Sequence, residues 1–184
     1  MIRTRILQAA AELFQAKGYR SVTLSELATR LGMSKKTLYL YFSGKEQIAE
    51  AVMELTMKAI AAAIAEVRRQ EADAVTMIGL VFAAIKQEIV KLNPLFLEDI
   101  QKFIPGLWER IEAFRVKQLS FLEELITQAQ QDGLIRDLNP RLATVIMLES
   151  IRHFARPDFA AKHGVGMVDV GNTLFTMFIE GIRK

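Results

Sequence analysis

The chain has 184 residues, a net charge of +3 and no cysteine. This length supports one or two domains with a real apolar core, and the missing cysteine excludes disulfides and thiolate metal sites while suiting a reducing cytoplasm. With 51% hydrophobic and 24% charged residues general disorder is excluded, and no apolar run reaches the roughly 18 residues of a membrane span.

The chain reads as helix almost throughout. Ala, Leu, Glu, Gln, Lys and Met dominate, and strand-like alternation is absent. The opening stretch MIRTRILQAAAELF is basic and then apolar, like a short signal peptide. Gln8 and Glu12 interrupt its apolar run and no small-residue cleavage site follows, so it reads as an amphipathic helix over residues 2–17. Ile6, Ala10, Leu13 and Phe14 share one face of it, and Gly18 supplies the stop. Thr23 and Glu26 form a capping box that opens a short helix ending at Gly32. Ser34 caps a third helix, in which Leu38 and Phe42 face inward and Lys35, Lys36, Thr37, Tyr39 and Tyr41 point elsewhere. Ser43 and Glu46 read as a second capping box, starting a long helix that runs to about residue 70. A helix over 72–92 follows. Asn93-Pro94 starts another, Pro105-Gly106 interrupts it, and a helix over 107–131 ends at Asp132-Gly133. Asn139-Pro140 opens a helix to about residue 155. Pro157 and the loop around Gly164 and Gly166 separate it from a last helix over 168–182.

Helix, short turn with glycine, helix is the arrangement that lays its second helix in the DNA major groove. The third helix is short and carries small or basic residues at its start, Ser34, Lys35, Lys36 and Thr37. Tyr39, Tyr41 and Lys45 are suited to holding phosphates, and Thr23 and Lys45 stand at helix N-termini, which attract anions. The charge agrees. Residues 1–50 hold eight Lys/Arg against four Asp/Glu, a balance of +4, and residues 51–184 hold sixteen against seventeen, a balance of −1.

The segment ILQAAAELFQAKGYRSVTLSELATRLGMSKKTLYLYFSGKEQI resembles the DNA-binding domain of TetR-type transcriptional regulators. The likeness covers about residues 3–50 and rests on Ala10, Leu13-Phe14, Lys17-Gly18-Tyr19, Thr23, Leu27-Ala28, Gly32, Ser34, Leu38-Tyr39, Tyr41-Phe42 and Lys45-Glu46. It implies a helix-turn-helix DNA-binding domain over 1–46 and a helical ligand-binding and dimerisation domain over 47–184. It also implies a cytoplasmic homodimer that represses transcription and leaves double-stranded operator DNA when a small apolar molecule binds, with no cofactor and no membrane partner. By position, Thr23, Ser25, Ser34, Lys35, Lys36, Thr37, Tyr39, Tyr41 and Lys45 match the family's DNA contacts. Lys36 departs from a frequent glycine. Leu40 departs from a frequent polar or aromatic residue, and either meets a thymine methyl or packs against the fourth helix.

The last two long helices are apolar nearly all round, so each needs burial on two sides. A two-fold partner satisfies this as a four-helix interface, here expected at Met147, Ile151, Leu174, Phe175, Phe178 and Ile182. The alternative is a helix pair wholly inside one subunit. Met77, Phe82, Phe96, Phe103, Trp108, Phe114 and Phe121 either line the ligand pocket that the resemblance implies or pack as core. Enzyme chemistry has little support. Glu149 and His153 do not make a metal site, Ser150 lacks triad partners, and no glycine-rich phosphate loop occurs. Two other readings stay open: a DNA-binding regulator with no small-molecule inducer, and an apolar-ligand carrier whose basic N-terminus touches membranes.

Overall fold

The computed structural model describes residues 2–184, the side chain of Leu119 excepted. Ten helices are described, in the order α1 (Ile2–Ser21), α2 (Leu24–Leu31), α3 (Lys35–Tyr39), α4 (Lys45–Val67), α5 (Ala74–Ile89), α6 (Pro94–Phe103), α7 (Pro105–Gln131), α8 (Pro140–Phe154), α9 (Pro157–His163) and α10 (Met167–Ile182). Among the described residues the one β-type pairing is an isolated bridge between Ile135 and Arg183. No single described helix is long and apolar enough to cross a membrane. The protein is all-α.

The chain forms two compact units, and α4 and α7 each contribute residues to both. The first comprises the residues up to Lys58 together with Lys91–Glu109. In it α1 buries Ile6, Ala10, Leu13 and Phe14, the stripe expected from the apolar spacing, and Leu7 besides. Gly18 breaks the helix with φ 76° and ψ 174°, a region open essentially to glycine alone. The residue before Pro94, Asn93, caps α6 by accepting from Leu95 N at 2.8 Å, and α6 then packs on α1. Phe96 stacks on Phe14 with ring centroids 4.9 Å apart. This partnership joins residues far apart in the sequence, and the apolar pattern alone does not indicate it.

The second unit comprises Ala59–Val90 and Arg110–Lys184. Its core takes Ile60 and Ile64 from α4, Ile78 and Val81 from α5, Phe121, Leu122, Leu125 and Ile126 from α7, Met147 from α8, and Ile179 and Ile182 from α10. Asp73 caps α5 through a bond from Thr76 N at 2.9 Å, and Asn139 caps α8 through one from Leu142 N at 3.0 Å. A short charged network crosses from α7 to α8. Arg115 Nη1 lies 2.7 Å from Glu112 Oε1, Arg152 Nε lies 3.3 Å from Glu112 Oε2, and Arg152 Nη1 lies 3.0 Å from Glu149. Burial lowers the Arg115 guanidinium from its ordinary value, and Glu112 opposes that shift. The seven-residue α9 is not expected from the sequence. Pro157 at its first position and the left-handed Gly164 at its end bound a short helix in what reads as loop.

Candidate nucleic-acid interface

Local chemistry sets the geometry of α2 and α3. Thr23 Oγ1 accepts from Glu26 N at 3.1 Å, which satisfies one of the free donors at the start of α2. The Glu26 carboxylate pairs with Lys17 on α1, and that hydrogen bond is the main cause holding it below the ordinary carboxylate value. Arg30 on α2 pairs with Glu12 on α1. These two ion pairs bracket the buried Leu27 and Ala28. At the other end of α2, Gly32 adopts φ 64° and ψ 34°. Its left-handed turn lets Gly32 N donate to Thr29 O at 3.1 Å and Met33 N to Ala28 O at 3.0 Å.

The chain then reverses into α3. Ser34 Oγ accepts from Thr37 N at 3.1 Å and lies 3.0 Å from Thr37 Oγ1. The α-helix proper is five residues long, shorter than the sequence pattern suggests. Leu40 keeps right-handed helical angles, and Phe42 N still donates to Leu38 O at 3.0 Å, so one further turn follows. Leu38 and Phe42 are buried. Ser34, Lys35, Lys36, Tyr39, Leu40 and Tyr41 are exposed, and Thr37 is half-buried. Tyr39 keeps 55% of its surface and Leu40 76%. Of the two possibilities for Leu40, packing against α4 is therefore ruled out. The Arg3 guanidinium lies 5.1 Å from the Phe42 ring centroid and covers the far side of this turn.

Thr23 and Ser25 are both exposed near the start of α2. The Lys45 ammonium points inward. It donates to Val22 O at 2.8 Å, Tyr19 O at 2.9 Å and Arg20 O at 3.3 Å. An ammonium has three N–H donors, and three carbonyls at and just past the end of α1 take them. Its charge also lies 4.2 Å from the Tyr19 ring centroid. Burial lowers the Lys45 pKa from its ordinary value, and the Asp99 carboxylate opposes the shift. Burial, with Glu46 and Asp99 adding to it, raises that of Tyr19. The residue expected at a phosphate thus ties the end of α1 to the turn that follows it, through the carbonyls of Tyr19, Arg20 and Val22.

Two side chains from α6 and the turn before it complete that reversal. Asp99 Oδ2 accepts from Arg20 N at 2.7 Å, and Asn93 Nδ2 donates to Gln15 O at 2.6 Å. A Cβ on Gly18 would stand 2.9 Å from Asp99 Oδ2. Sequence reasoning reads Asn93 only as a helix start and passes over Asp99. A carboxylate in the middle of a helix carries no local mark of such a role. The second capping box is also displaced by one residue: Gln47, not Glu46, accepts from Ser43 N at 2.7 Å.

The expected ligand residues are divided between the two units, and the expected dimer residues all lie in the second. Phe96, Phe103 and Trp108 belong to the first unit. Phe96 is buried against Phe14, and Phe103 lies under the Arg20 guanidinium at 5.4 Å. Phe121 belongs to the core cluster of the second unit, and Met77, Phe82 and Phe114 are partly buried against it. Arg68 sits 3.9 Å from the Phe121 ring centroid. Met147 and Ile182 are buried in the subunit's own core, and Phe175 meets Phe82 with centroids 4.5 Å apart. Ile151 and Phe178 pack against the same cluster, while Leu174 is half-buried. Met147 and Ile182 thus face inward and the other four are half-buried, while a further stripe stays open. On α8 that stripe is Leu142, Val145 and Ile146; on α10 it is Met177, 68% exposed. Helices α8 and α10 pack on each other.

Residues 6–52 match the family described as bacterial regulatory proteins, tetR family. The chain is 30% identical to an uncharacterized HTH-type transcriptional regulator, YvaF, of Bacillus subtilis (strain 168), over 97% of this chain and 94% of that protein. It is 22% identical to the fatty acid metabolism regulator protein of the same organism, over 98% of this chain and 95% of that one. Its fold is similar to that of PfmR, a TetR family transcriptional regulator from Thermus thermophilus, with a TM-score of 0.70 and 24% identity over 98% of this chain and all of that one.

Proposed function

Since the chain belongs to the TetR family of bacterial regulatory proteins and is a DNA-binding transcriptional regulator, we propose that it is a cytoplasmic homodimeric repressor, released from its operator by an apolar small molecule. The observation that carries DNA reading by named residues is the open surface of α3. Lys35, Lys36, Tyr39 and Tyr41 are exposed around a turn anchored by buried Leu38 and Phe42. In this reading Lys35 and Thr37 meet base edges, and Lys36, Tyr39, Tyr41, Thr23, Ser25 and Ser34 hold the backbone. Residues 1–46 form the DNA-reading part and 47–184 the part that binds ligand and partner, with α6 as the buttress of α1. Lys45 serves as a positioning residue.

Dimerisation is supported by Leu142, Val145, Ile146 and Met177, apolar side chains left in water on two helices that pack together. A two-fold partner would cover them and place two copies of α3 on two half-sites. An apolar ligand class is supported by the aromatic and methionine content of the second unit, Met77, Phe82, Phe114 and Phe121. The 22% identical relative regulates fatty acid metabolism, a setting in which long-chain acyl compounds are the natural first candidates.

The test is selection of duplexes from a random pool with the full-length protein, followed by titration of the selected duplex against fatty acids and their thioesters. Selective binding to a near-palindrome that a long-chain compound abolishes supports the proposal. Selective binding that no such compound affects removes the ligand-released part. Binding to anionic vesicles without duplex selectivity would favour a carrier instead.

A further inference from the structure

Leu40 is the most exposed large hydrophobic side chain among the described residues, with 76% of its surface in water. At about 100° per residue along a helix, Lys36 and Leu40 lie on the side of α3 opposite the buried Leu38. Thr37 and Tyr39 flank them. Leucine has no side-chain donor and no acceptor, so it can neither hold a phosphate nor hydrogen-bond a base edge. What it can do on that ridge is exclude water from another apolar group. The floor of the major groove offers one such group, the C5-methyl of thymine. The neighbours commit the ridge to DNA: Lys35 and Lys36 precede it and Tyr39 and Tyr41 enclose it, all exposed. No carboxylate side chain lies between Leu31 and Gly44.

We propose that Leu40 is a specificity-determining residue that reads a thymine by its C5-methyl group in the major groove. The inference rests on DNA reading by α3 and adds the base and the atom. A leucine in this place gives the operator a thymine requirement, because the C5-methyl it covers distinguishes thymine from the other bases.

The experiment uses the full-length protein and a duplex selected from a random pool. Each thymidine is replaced in turn by deoxyuridine, which removes the methyl and leaves charge and base pairing alone. The wild type should lose about three- to tenfold in affinity at one thymine per half-site, the worth of one buried methyl. Leu40→Ala should bind the thymidine duplex more weakly by a similar factor and be indifferent to deoxyuridine at that position, while keeping its salt dependence. The two losses are then non-additive, as for groups in contact. Leu40→Met, still apolar, should keep part of the methyl preference. The proposal is overturned if Leu40→Ala retains the full deoxyuridine penalty at every position, or if it binds the selected duplex as the wild type does. Failure to select any duplex overturns it together with DNA reading by α3. Selective binding without methyl sensitivity overturns Leu40's role alone.

Discussion

Replacing Lys45 by methionine separates two roles for a basic residue beside a DNA-binding helix. The methionine keeps the apolar stem and removes the ammonium. Three hydrogen bonds vanish, at 2.8, 2.9 and 3.3 Å, and the carbonyls of Val22, Tyr19 and Arg20 lose a charged donor. A hydrogen bond to a charged group is worth about 1.5–3 kcal/mol. The longest of the three is solvent-exposed, and water can replace it. The shorter two are part-buried and share one donor atom, so their worth does not simply add. The expected loss is about 2–3 kcal/mol in unfolding of the first unit. The salt dependence of DNA binding should stay as it is. A phosphate contact would contribute about 0.9 to the slope of log affinity against log salt, and the three donors of this ammonium already meet carbonyls. Denaturant unfolding of the full chain measures the first quantity. Titration of an unselected duplex at several salt concentrations, with both proteins folded, measures the second. A slope that falls by about 0.9 per subunit, with stability unchanged, would refute the reasoning and restore Lys45 to the phosphate backbone.

Gly18→Ala should destabilise the protein by about 3 kcal/mol, because the mirror-extended angles at position 18 cost a side chain about 1–3 kcal/mol and the new Cβ meets Asp99; a change under about 0.5 kcal/mol in denaturant unfolding would mean that α6 yields freely. Lys35→Ala and Thr37→Ala should each cost about 1–3 kcal/mol on a selected duplex and little on a scrambled one, and equal losses on both would make them backbone contacts. Ile146→Asp together with Met177→Asp should leave the fold intact and give a monomer in sedimentation, since both side chains are exposed in one subunit; a persistent dimer would move the interface elsewhere. Glu112→Ala should lower stability by about 1.5–3 kcal/mol, because it removes the carboxylate that lies 2.7 Å from the Arg115 guanidinium and 3.3 Å from that of Arg152, and thermal unfolding at neutral pH reads the loss.

The helix order and the helix-turn-helix were legible because their signals are local. Thr23, Ser34 and Asn139 cap the helices that follow them in the sequence, and Gly18 and Gly32 sit where only a left-handed or mirror-extended residue will serve. Which outward residues work and which merely support was less legible. Lys45 has the position of a phosphate ligand, but its reach along four methylenes lets it turn back to the carbonyls of α1. Which faces of α8 and α10 are core and which stay open was hidden for a related reason. On a helix apolar all round, hydropathy does not distinguish Met147, which faces the core, from Ile146 beside it, which faces water. Asn93 and Asp99 were invisible as partners of α1 because no periodicity links residues that far apart.

Phe14 and the end of α1 are completed only by the segment 91–109, through Phe96, Asn93 and Asp99. On the ribosome, then, the N-terminal helices emerge first but must wait for more than half the polypeptide before their own interior closes. A nascent chain cut short within α4 or α5 would carry the recognition helix on an unfinished support. Synthesis stalled there would leave Phe14 without its stacking partner and the end of α1 without the side chains that hold Gln15 and Arg20.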